Sequence, residues 1–526
     1  MAGNHCNYYS FGVLLMAGFE LKKGGDLLGK CIELTGRNLS ASDVCNIARG
    51  LCKVSVSTEA IERLVESRKL VFELSDKGVP IYGCNRGVGW NKDKKVTKEF
   101  VSQFNKNMLH SHSVGVGESA SIEEARGAMV IRLNNLLVGC TGLSPEIVQL
   151  MAEMLNRSIT PLFPKRGSVG EADIVNLSHL GLVLIGEGKV LYKGAVVLAA
   201  EAFAKEGLEP VVLLEKDGLA ILSSNALSAA MACEAYHETE VLMHTADMIS
   251  CMSLEGLNGN VSPLRDGAQR QRPYPRQIET AAALRSYLEG SYLYEPSEGR
   301  PLQDPLSFRC VSQVHGAVRT AMDYARENLE IHLNASDDNP CLLLDERDIT
   351  SCGNFDPLVW VLGMQNLSVA LSHVSKMSCL RSLKLAMPGF TGLTRHLTPN
   401  DDTIAFSTIQ KTYASMDAEI RLLANPVSMD TFPLAGGMED ISTNAPLVME
   451  KHMKIIDDLY YVLAVEGIHA AQAMNLRGAH YGKGTQAALK RLRGVVPFYS
   501  SDDRVLTDDI EAIHDFLKGG GLLADQ

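Results

Sequence analysis

The sequence is short of positive charge and contains no run of five or more lysine and arginine residues. Its 526 residues include 50 lysines and arginines against 62 aspartates and glutamates, which leaves a formal net charge of −12. Nucleic acids and anionic membranes attract proteins through basic patches. We therefore expect no nucleic-acid partner and no membrane partner.

Cysteines with the spacing of a metal site or a redox motif are also missing. The 12 cysteines are scattered, and none forms a Cys-x-x-Cys pair, a pattern typical of reduced thiols in the cytoplasm. The apolar stretch 11–19 is too short to cross a bilayer and has no basic segment before it. We expect no metal site, no signal peptide and a cytoplasmic location.

What the sequence does contain, after about residue 120, is a series of long amphipathic stretches. Each is long enough for three or more helical turns, and caps or glycine and proline residues separate them. The predicted helices lie at 122–140, 145–156, 195–205, 226–252, 316–334, 357–385, 402–424 and 445–474.

The region before residue 120 mixes shorter elements. The pattern predicts a strand at 31–35, a helix capped by Ser40 or Ser42, and a helix capped by Thr58. Two further features lie among the long helices. Residues 189–192 and 211–214 are predicted to pair as strands, and the tract 261–275 is predicted to be a surface loop.

The most informative segment, residues 167–179, reads Gly-Ser-Val-Gly-Glu-Ala-Asp-Ile-Val-Asn-Leu-Ser-His. It resembles the signature of the histidine/phenylalanine ammonia-lyase family. In that family an Ala-Ser-Gly triplet follows and cyclises into the electrophilic methylidene-imidazolone group, MIO. Here residues 171–173, Glu-Ala-Asp, stand in place of the triplet. Ser168 cannot easily substitute, because β-branched Val169 follows it. The resemblance implies a family member without MIO, and we expect no cofactor.

Residues 82–89, Tyr-Gly-Cys-Asn-Arg-Gly-Val-Gly, resemble the loop that carries the family's catalytic base. The resemblance places Tyr82 on the tyrosine that removes the β-proton of the substrate. It also places Asn85 and Arg86 among the substrate-binding residues. A phenol with a pKa of about 10 is a weak base at neutral pH, so Arg86 is the candidate to lower that pKa. The alternative for Tyr82 is a turn tyrosine packed on the core.

Ser111 and His112 resemble the selectivity position of the histidine-type members of the family. A polar pocket there suits an imidazole-type ring, since a phenyl ring would leave the polar groups unpaired. We predict that both residues bind substrate. The alternative is a structural histidine satisfied by backbone groups.

Residues 303–310, Gln-Asp-Pro-Leu-Ser-Phe-Arg-Cys, resemble the motif that binds the substrate carboxylate. The resemblance gives this role to Arg309, whose planar guanidinium suits bidentate contact, and places Gln303 beside it. Leu306 stands where the family has a tyrosine next to MIO. Ser223 stands where the family has an asparagine that attends MIO. Since these positions changed together with the triplet, we favour a redesigned site over a dead one.

Three further positions follow from the resemblance. Asn339 lies in a segment similar to the family's Ser-Asp-Asn-Pro and is predicted to bind substrate. Glu419 falls on a glutamate that lines the histidine-type pocket and is predicted to be catalytic. Lys384 stands where the family usually has arginine; it is either catalytic or simply a solvated lysine on a helix face. Asp356 replaces a family histidine.

The resemblance implies a mainly α fold with a long-helix bundle. A smaller mixed α/β domain at 1–120 would carry the tyrosine loop, and 121–526 would form the helical core and the subunit interfaces. It also implies a homotetramer in which each active site draws on three subunits.

The missing electrophile indicates a betaine substrate. A trimethylammonium group leaves as neutral trimethylamine and has no lone pair with which to attack MIO. The resemblance therefore implies an MIO-independent, metal-free C–N lyase that converts ergothioneine, the trimethylbetaine of 2-thiohistidine, to thiourocanate. Glu171 and Asp173 either face the cationic head group or cap a helix.

Other interpretations stay open at this point. The substrate is alternatively hercynine or another ring-bearing betaine. The chain is alternatively a homologue without catalysis that is retained for assembly or binding. A third alternative is MIO formation from Ser168 by an unusual route.

Overall fold

Long helices dominate the chain, whose computed structural model describes residues 29–523. In chain order the helices are α1 Ala41–Ala48, α2 Thr58–Asp76, α3 Val101–His112, α4 Ile122–Leu137, α5 Pro145–Asn156, α6 Ile174–Leu184, α7 Ala199–Glu206, α8 Asp217–Leu222, α9 Ala226–Leu257, α10 Asp266–Arg270, α11 Pro275–Tyr287, α12 Leu306–Arg309, α13 Val311–Leu333, α14 Leu358–Leu385, α15 Pro388–Thr391, α16 Gln410–Leu423, α17 Ala445–Arg477, α18 Lys483–Val495 and α19 Thr507–Lys518. The predicted fold class, mainly α with a long-helix bundle, is confirmed.

Short strands form small sheets between the helices. They are β1 Lys30–Leu34, β2 Cys52–Val56, β3 Val116–Ser119, β4 Thr160–Pro161, β5 Pro164–Arg166, β6 Lys189–Tyr192, β7 Ala195–Leu198, β8 Cys341–Leu343 and β9 Asp348–Thr350. β1 and β2 pair in parallel. The pairs β3–β5, β4–β6, β6–β7 and β8–β9 are antiparallel.

The centre of the molecule is a bundle in which α9 and α17 lie side by side and point in the same direction. Thr239 of α9 contacts His452 of α17 at 3.2 Å. Further along both helices, Ser253 donates a hydrogen bond to Glu466 at 2.6 Å. α13 and α14 pack on this pair. Most of α9 and α17 is buried, and burial of apolar surface is the main source of stability for such helices.

By length and composition alone, α14 is apolar enough to cross a membrane. Its most apolar window is 56% buried inside the chain, where α14 packs against α13 and α17. Buried helices of bundles have the same composition, so α14 carries no separate argument for a membrane.

Local signals determine the ends of the first helices. Ser40, one of the two predicted caps, starts α1 through a reciprocal capping box with Asp43, which satisfies backbone N–H groups of the first turn. The cap of α2 is Ser57, whose Oγ accepts a hydrogen bond from the N–H of Ala60 at 3.1 Å. The prediction of Thr58 was therefore wrong by one residue.

Most of the predicted long helices are confirmed, with ends that differ by a few residues or, at 402–424, by more, since α16 begins only at Gln410. The predicted strand pair was wrong in its second member. β6 pairs with β7, and residues 211–214 form no strand. The reason is the two-residue turn at Lys193 and Gly194, where φ is +50° and +82°, a conformation that closes a tight hairpin.

Two other predictions concern loops. The tract 261–275 contains the short helix α10 rather than loop alone. The stretch 11–19 lies outside the described residues. The division into two domains at residue 120 stays a prediction. Elements on both sides of it share one hydrophobic core, since Leu34 and Leu64 belong to the same cluster as Met129.

Candidate active site

The segment 167–173 lies at the start of α6, and the side chains of Ser168 and Asp173 within it have hydrogen-bond partners. The Ser168 hydroxyl donates to an oxygen of Asp173 at 2.8 Å and accepts from the N–H of Gly170 at 3.0 Å. Gly170 has φ of +85°, and a Cβ there would lie 2.3 Å from the Thr443 hydroxyl. The residues do not fit MIO, because they include no serine followed by glycine and the Ser168 hydroxyl is held by a carboxylate.

Asp173 is fully buried. Its carboxylate accepts hydrogen bonds from both the N–H and the hydroxyl of Ser228, each at 2.8 Å. Ser228 is the third residue of α9, so Asp173 stabilises the positive end of that helix. Of the two sequence interpretations, the helix-capping one holds, although the capped helix is α9 and not α6. Burial raises the pKa of Asp173.

Glu171 has a different environment, because it is only half-buried and lacks a positive partner. Its Oε1 atom is buried and accepts no hydrogen bond from any described residue. Burial, and then the negative charges of Asp356 and Glu439, raise the pKa of Glu171 to about 8. Asp356 and Glu439 are exposed. A carboxyl group without a counterion, next to two further carboxylates, is a place where a cation would be stabilised.

Asn225 connects the two segments that carry these carboxylates, and the sequence analysis missed it. Its Oδ1 accepts from the N–H of Ala172 at 3.1 Å, and its Nδ2 donates to the carbonyl of Phe355. Its own N–H donates to Asp337 at 3.2 Å. Ser223, two residues earlier, is also buried. The signal that could have found Asn225 is its position directly before α9, where an amide commonly caps a helix.

The tyrosine loop lies next to the same cluster. The Tyr82 hydroxyl oxygen accepts a hydrogen bond from the N–H of Gly89 at 2.6 Å. Burial raises the pKa of Tyr82, the Gly89 hydrogen bond opposes this, and the charge of Glu439 raises the pKa further. The expectation that Arg86 lowers this pKa is not met within the single chain. The charge of Glu439 raises the pKa of both Tyr82 and Glu171. Trp90, which follows the tyrosine loop, lies against Gly436, three residues before Glu439.

Asn85 and Arg86 form hydrogen bonds with the residues just before the tyrosine loop. Asn85 accepts from the N–H of Ile81 at 2.8 Å and donates to the carbonyl of Val79 at 2.8 Å, so both ends of its amide hold the turn. Arg86 is half-buried, and its backbone N–H donates to the carbonyl of Ile81 at 3.1 Å. A substrate-binding role for either residue stays a prediction.

Ser111 and His112 end helix α3 beside the loop 167–173. The next residue, Ser113, donates to Ser178 of α6 at 3.0 Å. His112 donates through Nδ1 to the carbonyl of Met108 at 2.7 Å, which leaves Nε2 as the acceptor nitrogen of a neutral ring. The histidine is thus held by backbone on one side and half-exposed on the other.

Asn339 lies two residues after Asp337, whose carboxylate accepts a hydrogen bond from the Asn225 N–H. Its Oδ1 accepts from the N–H of Cys352 at 3.0 Å and from the hydroxyl of Ser351 at 3.3 Å. The preceding residue, Asp338, forms a buried ion pair with Lys216 at 2.5 Å. Hydrogen bonds and a buried ion pair therefore connect the segments at this end of the bundle.

Arg309 and Gln303 lie elsewhere, at the opposite end of α9. The Arg309 guanidinium donates to the side-chain Oε1 of Gln303, and both residues line an open cavity of about 410 Å³. The neighbouring Asp304 accepts from the N–H of Asn260 at 2.6 Å. Asn260 follows α9 closely, whereas Asn225 directly precedes it.

The length of α9 therefore separates Arg309 from Tyr82 within one chain. α9 has 32 residues, and at a rise of about 1.5 Å per residue it is about 48 Å long. The tyrosine loop contacts Leu219 of α8, just before α9. A substrate the size of an amino acid cannot touch Tyr82 and Arg309 of the same chain.

Lys384 and Glu419 occupy two further places. Lys384 lies near the C-terminal end of α14, with its Nζ 4.5 Å from the ring centre of Phe390, at the same end of the bundle as Arg309. Glu419 is exposed on α16, near Lys454 in the first half of α17. One chain thus presents the predicted residues in three separate groups.

Among residues 29–523, no group of three or more histidine, cysteine, aspartate or glutamate side chains could hold a metal ion. The described cysteines are free thiols.

Comparison with known proteins connects this geometry to a family. The family model for aromatic amino acid lyases matches residues 39–494. The histidine ammonia-lyase of Treponema denticola is 35% identical over 485 residues, which cover 91% of this chain and 95% of that protein. The histidine ammonia-lyase of Stigmatella aurantiaca is 35% identical over 496 residues, 94% of this chain and 97% of that protein.

Solved structures show the same fold. The ergothioneine-degrading enzyme ergothionase from Treponema denticola, in complex with desmethyl-ergothioneine sulfonic acid, is 44% identical with a TM-score of 0.92, over 94% of this chain and 100% of that chain. The tyrosine aminomutase from Streptomyces globisporus is 28% identical with a TM-score of 0.88, over 94% and 97%. The histidine ammonia-lyase from Trypanosoma cruzi is 26% identical with a TM-score of 0.85, over 94% of each chain.

Proposed function

Because the chain belongs to the aromatic amino acid lyase family and is a carbon–nitrogen lyase, we propose that it eliminates trimethylamine from ergothioneine to give thiourocanate, without MIO. The observation that carries the proposal is Glu171. This unpaired carboxyl group stands where the resemblance places the family's electrophile, and the charges of Asp356 and Glu439 raise its pKa. The likeness to a solved ergothionase at 44% identity supports the same substrate.

The acidic cluster suits a substrate with a permanent positive charge. A primary ammonium can lose a proton and attack an electrophile, whereas a quaternary ammonium can do neither. Carboxylates stabilise that charge in the bound substrate. At pH 7 the free site holds Glu171 mostly protonated, since its pKa is about 8. Binding of the cation then drives out a proton and leaves the glutamate charged.

Tyr82 is the proposed base. Its oxygen would take the β-proton of the substrate, the electrons of the C–H bond would form the new C=C bond, and trimethylamine would leave with the electrons of the C–N bond. In the free chain, burial raises the pKa of Tyr82. The substrate cation would oppose this effect, because nearby positive charge stabilises a phenolate.

The separation of residue groups along α9 supports a composite site in a homotetramer. Tyr82 and Glu171 would come from one subunit, Arg309 with Gln303 and Lys384 from a second, and Glu419 from a third. Arg309 would hold the substrate carboxylate through two parallel hydrogen bonds. A single chain, in which about 48 Å of helix separates these groups, offers no complete site.

The ring of the substrate would be held by polar groups. Ser111 and His112, next to the loop 167–173, would contact the imidazole-type ring. Lys384 would stabilise negative charge that develops on the ring or its sulfur, and Glu419 would pair with a ring nitrogen. Asn85, Arg86 and Asn339 would line the remaining walls.

Two further parts of the proposal concern the cofactor and the location of the enzyme. We propose that neither MIO nor a metal takes part, and that the enzyme works in the cytoplasm, where its free thiols stay reduced. The partners would be the betaine and the other subunits.

The deciding experiment incubates the purified enzyme separately with ergothioneine, hercynine and histidine. Trimethylamine and the unsaturated acid are then measured. Release of trimethylamine mainly from ergothioneine supports the proposal. A preference for hercynine would transfer the function to another betaine, and release of ammonia from histidine would overturn it. An intact mass that is short of two waters would reveal MIO.

A further inference from the structure

Arg381 and Glu466 form an ion pair inside the bundle, and both side chains are fully buried. Arg381 lies on α14 and Glu466 on α17. The Nε atom of Arg381 donates to Oε1 of Glu466 at 2.5 Å, and its Nη2 atom donates to Oε2 at 2.9 Å. These two hydrogen bonds give the bidentate geometry that a planar guanidinium and a carboxylate favour.

The third nitrogen of the guanidinium reaches a different element. Nη1 of Arg381 donates to the carbonyl oxygen of Ser307 at 3.1 Å. Ser307 lies in α12, two residues before Arg309. Ser253 of α9 donates to the same Glu466 at 2.6 Å. The ion pair therefore connects α12 to α9, α14 and α17.

α12 depends on contacts of this kind because it is very short. It has four residues, and a helix of that length makes too few internal hydrogen bonds to be stable alone. The backbone N–H groups of Arg309 and Cys310 each donate to the carbonyl four residues earlier, at 3.1 and 2.9 Å. Phe308 is buried in the core, whereas Arg309 lines the open cavity. The direction of the Arg309 side chain thus depends on how α12 is fixed.

Stability alone does not account for two charges at this position. Taking charges out of water is costly, and replacing a buried ion pair by apolar side chains of similar volume is often neutral or stabilising. Apolar side chains, however, could not donate a hydrogen bond to the Ser307 carbonyl. Arg381 is 0% exposed, and its three guanidinium nitrogens have partners. It is therefore a residue that acts through others and does not touch a substrate itself.

We propose that Arg381, held by Glu466, is a positioning residue for the substrate carboxylate. It fixes α12 through the Ser307 carbonyl and thereby holds the guanidinium of Arg309 in the direction that binds the carboxylate. This role rests on the proposed function, in which Arg309 binds that group. The elimination leaves the carboxylate unchanged, so the contact stabilises ground state and transition state alike, and its loss is measured as a higher KM.

The test uses the full-length enzyme with the double substitution Arg381→Met and Glu466→Gln. Arg381→Met alone would leave a buried carboxylate unpaired, which strongly destabilises a folded protein. In the double variant methionine fills the space, glutamine still accepts from Ser253, and the Ser307 carbonyl loses its donor. We expect KM for ergothioneine to rise at least about 10-fold, because a misplaced Arg309 loses much of a charge-assisted hydrogen bond. The change in kcat should be much smaller.

Arg126→Met is the matched control, because Arg126 is also a buried arginine. Its guanidinium donates to three backbone carbonyls in α1 and α5, those of Ile47, Ala48 and Leu155. This substitution should lower the melting temperature and leave KM unchanged. A KM that rises equally in Arg126→Met would reflect a general loss of stability and would overturn the positioning role.

The carboxylate itself gives a more specific readout. The decarboxylated analogue of ergothioneine keeps the ring and the trimethylammonium group but offers no carboxylate to Arg309. As a competitive inhibitor, it should bind the double variant and the wild type equally. Equal weakening of the analogue and of ergothioneine would overturn the proposal, because it would mean that the whole site is distorted.

Hydrogen exchange separates the position of α12 from catalysis. In the free enzyme the amides of Arg309 and Cys310 should exchange at least about 10-fold faster in the double variant than in the wild type. In Arg126→Met they should exchange at the wild-type rate. Unchanged exchange in the double variant would refute the role of Arg381. If the wild-type enzyme releases no trimethylamine from ergothioneine, the proposed function fails, while the exchange rates still decide whether Arg381 fixes α12.

Discussion

Asn225 holds Ala172 through a hydrogen bond of 3.1 Å between its Oδ1 and the Ala172 N–H. The same amide donates to the carbonyl of Phe355. One side chain thus positions the segment with Glu171 and the segment with Asp356. Asn225 directly precedes α9, most of which is buried, so both segments are connected to the bundle.

We expect Asn225→Ala to weaken both the fold and the binding of substrate. It leaves the buried N–H of Ala172 unpaired, at about 1–3 kcal/mol, and also the half-buried carbonyl of Phe355, at a smaller cost. Urea unfolding should show the loss, and steady-state kinetics should show a KM raised several-fold. Asn225→Asp is the matched variant, since it keeps the acceptor for Ala172 but loses the donor to Phe355. A wild-type KM in both variants would contradict the positioning role.

Glu171→Gln should bind substrate less tightly and yet melt at a higher temperature. Glutamine removes a half-buried carboxyl group that has to take up a proton when the chain folds at pH 7, while the substrate cation loses its counter-charge. Thermal melting and KM for ergothioneine measure the two effects. Glu209→Gln, which changes an exposed glutamate, is the control and should alter neither. Higher stability with an unchanged KM would remove Glu171 from the site.

Glu171 should also make the stability of the free enzyme and its KM depend on pH. A carboxyl group whose pKa is raised on folding, here to about 8, lowers the stability of the free enzyme as pH rises from its unfolded pKa through about 8. The melting advantage of Glu171→Gln should therefore grow over that range and then level off. Over the same range KM of the wild type should fall, because a smaller fraction of the Glu171 carboxyl groups still has to lose a proton when the cation binds. A KM in Glu171→Gln that falls as steeply would contradict this.

Tyr82→Phe should reduce kcat by at least about 100-fold, the usual contribution of a general base. The melting temperature should change little, because the half-buried ring stays and only one hydrogen bond from Gly89 is lost. Tyr274→Phe, at an exposed tyrosine, should keep full activity. Turnover of Tyr82→Phe at the wild-type rate would show that another group removes the proton.

Mixing two inactive variants tests the composite site. Tyr82→Phe and Arg309→Ala each abolish activity as homotetramers, but a mixed tetramer combines an intact Tyr82 of one subunit with an intact Arg309 of another. Random assembly should restore roughly a quarter of the sites. Activity is measured after the two variants are unfolded and refolded together, with each refolded alone as the control. No recovery would place both residues in one subunit or exclude the tetramer.

Much of the helical architecture could be predicted because its signals are local. Helical periodicity and capping residues determined where α4, α5, α9 and α17 lie, and the Ser40–Asp43 capping box is visible in the sequence. The strand prediction at 211–214 failed because the true partner of β6 is chosen by the turn at Lys193 and Gly194. That turn is short-range too, but alternation alone does not reveal it.

The motif residues were identified from the sequence, whereas their surroundings depend on tertiary structure. Asp173 and Glu171 are two acidic residues only two positions apart. Asp173 is buried against Ser228 in the first turn of α9, whereas Oε1 of Glu171 has no hydrogen-bond partner among residues 29–523. The sequence by itself determined that a serine–glycine step is missing from this loop and that carboxylates stand there. Only the folded chain decided which carboxyl group is left for a cation, because burial and the distance to other charges arise from segments that are far apart in sequence.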